Sequence, residues 1–393
     1  MEKYKKQILL LLGGLGLYLV SAGFSYVVFS SVNNSSSMIN PKVPSTPAGE
    51  SKFKVDVSGP KTQECPLNGE KFTKAEQDIW SGRRPLLVMI ENHSDARPQS
   101  GVSKADIVYE AVAEGGITRF MGVFYCGASS VDWQVGPVRS ARTYFLDFAS
   151  EYGDFPLYAH VGGANTPGKA NALGQIGDYG WLKKGNDMNQ FALGFPVYWR
   201  DETRQGHPVA TEHTMYSTMD KLWGVAEKRN LTNVDSTGVA WDKTFVNWGF
   251  KDETGSADRG SSSPSFSFWK GYSDYDVKWQ YDSTQNLYTR NNGGTIQKDH
   301  NDQSLLTTKN VVVVFMAESR ANDGYENNLH LLYSNKGTGK ALIFQAGKTI
   351  EGIWNKKDRK SRTIFKDLKG KEIKFERGKI WIEILPAGSE VKY

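Results

Sequence analysis

Cysteine is nearly absent: Cys65 and Cys126 are the only two in 393 residues, and they are too far apart for a Cys-x-x-Cys pair. Cysteine-rich zinc modules and thioredoxin-type redox motifs are thereby excluded. The chain also lacks Gly-x-Ser-x-Gly and His-Glu-x-x-His, so serine hydrolases and zincins lose their usual sequence support. No charge of one sign dominates. The 48 Lys and Arg against 43 Asp and Glu leave a net charge of +5. That excess leans weakly toward anionic partners and falls short of a dedicated nucleic-acid binder. No fixed-period repeat occurs. What is present is a globular balance, 39% hydrophobic and 23% charged, with 11 Trp, 18 Tyr and 19 Phe. An aromatic load of this kind fits packed β-structure, and also sites that stack on rings.

One long apolar run stands out. Residues 8–30, ILLLLGGLGLYLVSAGFSYVVFS, carry no charged side chain. About 20 such residues cross a bilayer. Lys3, Lys5 and Lys6 precede the run, which keeps the N-terminus in the cytoplasm and sends the remainder outside. Val20-Ser21-Ala22 resembles a cleavage site, but the run continues past it, which favours an uncleaved anchor over residues 1–31. Lipid attachment of the bacterial kind has no cysteine acceptor near the segment. Residues 32–64, rich in Ser, Asn and Pro, read as a flexible tether. An extracytoplasmic compartment tolerates disulfides, so Cys65 and Cys126 form either a bridge or two isolated thiols, with the bridge favoured.

Beyond the tether the patterning predicts an α/β (α+β) domain with a mixed sheet over 65–240 and a mostly β domain over 241–393. RPLLVMIEN, ADIVYEAVAEGG, TRFMGVFYC and PLYAHVGG read as strands, the middle two joined at Gly115-Gly116. SARTYFLDFASEYG reads as a helix capped by Ser140, and TMYSTMDKLWGVAEKRN as a second helix. Past residue 240, short β-prone runs alternate with turn signals such as Asn292-Gly293-Gly294.

Polar residues concentrate at the predicted strand ends. GPVRSARTYFLDF places Arg139 and Arg142 three apart at a helix start, where unsatisfied N–H groups and two guanidinium forks favour phosphate or carboxylate. The alternative is internal pairing with Glu91, Glu110 or Glu114. IENHSDARPQSG supplies Glu91, Asn92, His93, Asp95 and Arg97 at a strand's C-terminal end, a common site location in α/β folds. His93 is a base or metal ligand, or else an exposed loop histidine. Glu110 and Glu114 are four apart and are expected on one face of a strand, beside Arg119. They are candidates for acid/base work or for a divalent cation; no other cofactor is called for. In AHVGGANTPG, His160 precedes Gly162 and Gly163, which permit close backbone approach to a ligand. That stretch lacks the Lys-Ser/Thr of a P-loop and the Gly-x-Gly-x-x-Gly of a dinucleotide fold. Glu212-His213 with Tyr216 is a weaker candidate, and Asp187, Asp201 and Glu202 read as surface acids.

RRPLLVMIENHSDARPQSGVSKADIVYEAVAEGGITRFMGVFY and VGPVRSARTYFLDFASEYGDFPLYAHVGG strongly resemble the YerB-like family, bacterial envelope proteins known as domain of unknown function 3048. GKALIFQAGKTIEGIW and the residues after it resemble that family's second domain. The resemblance spans about residues 65–393. It implies an envelope location and no established activity. Its motif positions fall on Glu91, Asn92, Arg97, Glu110, Glu114, Arg119, Arg139, Arg142, His160 and Gly162. The arrangement of arginines and acids beside a strand is also loosely similar to the LytR-CpsA-Psr wall-polymer transferases, by analogy alone. Three functions follow as expectations: binding of a phosphate- or glycan-bearing ligand, processing of a wall glycopolymer, or docking of an unidentified protein partner.

Overall fold

A computed structural model describes residues 56–393. The proposed anchor and most of the tether lie outside the described residues. Among the described residues no helix is long and apolar enough to cross a membrane.

Ten strands form the central sheet: β1 Leu86–Glu91, β2 Ile107–Glu114, β3 Ile117–Phe124, β4 Leu157–His160 and β5 Asp187–Asn189, then β6 Asn310–Met316, β7 Gly337–Gln345, β8 Lys348–Lys356, β9 Ile364–Asp367 and β10 Ile380–Pro386. Their spatial order is β9-β8-β7-β6-β10-β2-β3-β1-β4-β5. The sheet is mixed, as expected. β10 runs parallel to both β6 and β2, and β1, β4 and β5 are mutually parallel, while the remaining neighbours are antiparallel. The composition changes near residue 240, yet the sheet is continuous across that point, because β10 inserts between β6 and β2. β1 and β6 are buried along their whole length, which is why they read as unbroken apolar runs rather than alternating ones.

The two faces of β2 are covered by different elements. Tyr109 stacks on Phe148 at 5.1 Å and its hydroxyl meets Tyr152 at 2.9 Å, so the helix Thr143–Ala149 packs there. The neighbouring Glu110 points to the opposite face, as alternation requires. It accepts from Arg290 at 2.5 Å, and Arg290 also donates to Glu383 at 2.8 Å. All three side chains are fully buried. Trp279, Trp381 and Phe120 enclose the guanidinium, with Trp381 closest at 4.6 Å. Through this cluster the hairpin Val277–Asp282/Leu287–Asn292 seats on the sheet.

Two carboxylates against one guanidinium leave an excess negative charge in a dry site. Burial, followed by the charge of Glu110, raises the Glu383 carboxyl well above its ordinary range. Glu383 Oε2 is buried without a hydrogen-bond partner, and Glu110 sits opposite Glu383 in the ladder between β2 and β10.

Three local expectations are corrected. The first helix begins at Thr143 with Arg142 in the cap position, not Ser140, because residues 138–141 are drawn into the sheet instead. The second begins only at Met219, since Met215–Thr218 pairs as a strand with Gln134–Val135 and Trp199–Arg200. Glu110 and Glu114 do not share a face. The ladder to β3 shifts register between Val112 and Glu114, and such a bulge inverts the alternation beyond it. Glu110 therefore bonds Thr118 while Glu114 reaches Arg119, which are neighbours pointing opposite ways.

Candidate ligand-binding pocket

β1 and β4 pair in parallel from Leu86↔Leu157 to Val88↔Ala159 and then part. The stretch after Pro137 enters the fork. Arg139 N–H donates to Met89 O, Val161 N–H donates to Arg139 O, and Ala141 bridges Gly163. A crevice at the C-terminal ends of parallel strands is where α/β sheets place ligands, since the chain leaves the sheet there with backbone and side chains free to converge.

The crevice holds a pocket of about 670 Å³ lined by Arg139, Gly162, Gly163, Asn165, Asn189, Phe191, Arg200 and Glu212, among others. That volume lies within the range of small-molecule sites, roughly 300–1,000 Å³. Gly162 adopts φ +56°, with a notional Cβ 3.0 Å from the Phe191 ring, and its N–H donates to Asn189 Oδ1 at 3.1 Å. Gly163 has no room for a side chain, because a Cβ would come within 2.9 Å of Leu173. Phe191 is 77% exposed on the rim, a position suited to stacking rather than to core packing.

The two arginines of the opening motif have separate fates. Arg142 is buried and ion-paired with Glu114, and its Nη1 donates to Ala141 O at 2.6 Å. Arg139 is a quarter exposed, at 26%, and lines the pocket. Its Nε lies 3.0 Å from Glu91 Oε2 but is not aligned for a hydrogen bond. It is an ion pair through Nε alone, without a hydrogen bond. Among the described residues neither terminal nitrogen of Arg139 has a hydrogen-bond partner.

Glu91 anchors this wall from below. It accepts from His213 Nδ1 at 2.9 Å. Burial alone would raise its carboxyl, but the His213 hydrogen bond and the Arg139 and Arg119 charges hold it below its ordinary value. The same bond raises His213 against the opposing effect of burial.

The remaining candidates are held internally. Arg119 donates to Ser140 O and Glu114, and burial with the nearby Arg142 charge lowers it to about 10. Asn92 donates to Glu110, Thr118 and Asn292, while Arg97 clasps Asn92 and Asp274 O. His160 is fully buried, with Nε2 2.6 Å from Asp187 Oδ1 and Nδ1 2.6 Å from Gly162 O. Its role is to hold the pocket's glycine turn. Asp187, expected at the surface, is buried beneath that histidine, because β5 completes the sheet edge there.

Cys65 and Cys126 form a disulfide across 61 residues. Asp106 lies under it, accepting from the N–H groups of Tyr125, Cys126 and Gly127. With both sulfurs bonded to each other, this cluster offers no thiolate to a metal.

Sequence reading missed Arg200, Asn189 and Phe191. Nothing in YWRDE or MNQFALG marks them, since they reach the pocket only through the fold.

Glu114 supports a direct test. Against burial, Arg142 and Arg119, with a smaller contribution from His330, lower its carboxyl from 4.5 to about 2. A depressed acid stabilises the fold above its unfolded value and loses that contribution as pH falls from 4.5 toward 2. Glu114→Gln is expected to lower stability by about 1–3 kcal/mol at neutral pH. Acid titration of both proteins should bring their melting temperatures together near pH 2, and a constant gap would refute the assignment.

The comparisons agree with this architecture. Residues 71–232 match the family described as protein of unknown function (DUF3048), N-terminal domain, and residues 267–382 match its C-terminal domain. The chain belongs to the DUF3048 family. It is 30% identical over 331 residues to the Bacillus subtilis (strain 168) protein named "Putative lipoprotein YerB", covering 83% of this chain and 87% of that protein. The crystal structure of YerB from Bacillus subtilis matches with a TM-score of 0.66 at 27% identity, covering 84% of this chain and all of that one. This DUF3048 chain thus has the α/β N-terminal region and mostly β C-terminal region of that structure. The two family segments meet in the single ten-stranded sheet.

Proposed function

We propose that this DUF3048 protein is an envelope protein, held at the membrane by residues 8–30 with its folded body outside the cytoplasm. Its crevice pocket binds an anionic, phosphate- or glycan-bearing ligand. The observation that carries the reading is the contrast between Arg139 and the arginines around it. Arg119 and Arg142 are consumed by Glu114 and backbone oxygens, whereas Arg139 keeps its terminal nitrogens for the pocket. Arg200 on the same wall adds a second positive charge, and Phe191 offers a ring face to a sugar. The disulfide and the lipoprotein name of the Bacillus subtilis relative support the location.

Binding without turnover is favoured over glycopolymer processing. The enzymatic alternative draws its carboxylate from Glu110 or Glu114; the first has no solvent access and the second is committed to Arg142.

The test is a thermal-shift series on the full chain in detergent, with undecaprenyl-pyrophosphate analogues and wall fragments. A ligand at 100 times its Kd adds about 2.7 kcal/mol. Arg139→Ala is expected to fold normally and to lose that shift. If no ligand stabilises the parent chain more than the Arg139→Ala chain, the proposal fails.

A further inference from the structure

Behind the pocket wall, on the other side of Glu91, two histidines 120 positions apart in sequence are brought face to face. The His93 and His213 rings stack with centroids 4.7 Å apart and planes 18° from parallel. His93 lies in the loop leaving β1, and His213 closes the short turn Thr211–His213. Asp95 joins them. One ligand atom from each of His93, Asp95 and His213 lies within 4.8 Å of the other two.

Among the described residues one ring nitrogen of each histidine is engaged, His213 Nδ1 firmly and His93 Nδ1 weakly, and neither Nε2 has a hydrogen-bond partner. His213 Nδ1 is held by Glu91 Oε2 at 2.9 Å. An imidazole whose Nδ1–H is fixed by a carboxylate presents a basic Nε2 lone pair in a set direction, as outer-sphere carboxylates do for metal-bound histidines. His93 Nδ1 accepts the Asp95 N–H at a long 3.2 Å and lies 3.8 Å from Asp95 Oδ2. An ion takes that lone pair from the long Asp95 N–H contact, and the nitrogen and Asp95 Oδ2 then close on it from a single loop turn. Glu91 Oε2 sits between His213 and Arg139, so its charge is already compensated and it serves to orient rather than to coordinate.

We infer that His93, Asp95 and His213 form a binding site for a transition-metal dication of the zinc class. Two imidazoles with one carboxylate favour Zn²⁺, Ni²⁺ or Cu²⁺ over Mg²⁺ and Ca²⁺, which demand oxygen-rich shells. Three protein ligands leave a coordination position open. The site is reachable, since the His93 and Asp95 side chains are 29% and 59% exposed. It does not depend on the pocket reading, and inorganic ions alone test it.

The full chain in detergent is stripped with a chelator and titrated with Zn²⁺ against a chromogenic competitor. One equivalent per chain is expected to bind. His93→Ala, His213→Ala and Asp95→Asn should each weaken binding by more than about tenfold, the loss that even an outer-sphere change can cause. His330, paired with Asp323 at 2.7 Å, is the control, and His330→Ala should bind as the parent does. Because His93 and Asp95 are partly exposed, their variants are expected to retain the parent's circular dichroism. Failure of the parent chain to compete for Zn²⁺ would overturn the inference. So would parental affinity in the His93→Ala and His213→Ala chains.

Discussion

Replacing Arg290 by Met is expected to cost about 3–5 kcal/mol of folding stability, the usual penalty for removing one partner of a buried ion cluster. The guanidinium is ion-paired with both Glu110 and Glu383, and none of the three side chains meets solvent. Its loss leaves the Glu110 carboxylate uncompensated and opens space among Phe120, Trp279 and Trp381. The two acids should respond unequally. Burial and the Glu110 charge favour the neutral form of Glu383, so Glu383→Gln is expected to cost less than about 1.5 kcal/mol. Glu110→Gln removes the carboxylate that Arg290 neutralises and should approach the cost of the arginine change. Guanidinium unfolding of the three variants measures this ordering. Equal costs for the two glutamines would disprove the preference of Glu383 for its neutral form, and a loss below about 1 kcal/mol for Arg290→Met would disprove the cluster's importance.

Removing the disulfide is the other large effect. Cys65 and Cys126 are separated by 61 residues, and a cross-link over a loop of that length stabilises by about 4 kcal/mol through restriction of the unfolded chain. Replacing both cysteines with alanine should lower the denaturation midpoint accordingly, and reductant should shift the parent chain but not the variant. The same loop encloses all of β1, β2 and β3, so the loss falls on the strands that carry Glu91 and Arg119. A reductant-insensitive midpoint in the parent chain would contradict this.

The strands around the pocket were legible because β1 and β4 are short apolar runs closed by polar residues, β2 and β3 are rich in β-prone residues, and Gly115-Gly116 marks the hairpin between those two. The candidate arginines were legible as a cluster. Their division was not, because whether Arg142 or Arg139 meets Glu114 depends on a bulge of one residue in β2. His160 stood out beside its glycines, whereas Asp187 had no local sign of burial. Its partner lies 27 positions away, on a neighbouring strand. Arg290 sits in QNLYTRNN, an ordinary hairpin sequence whose ion partners are 180 and 93 positions distant. Periodicity reports local geometry, and contacts at that separation leave no trace in it.

The position of β10 bears on the order in which this protein can be built. Synthesis delivers the N-terminus first, and β2 then waits with one edge unpaired until residues 380–386 arrive to fill it. An exposed apolar strand edge recruits other chains, so an interrupted or C-terminally clipped product is expected to be sticky and short-lived rather than partly useful. The last strand of this sheet acts as a completion check: the sheet that holds the pocket closes only once residues 380–386 have been made.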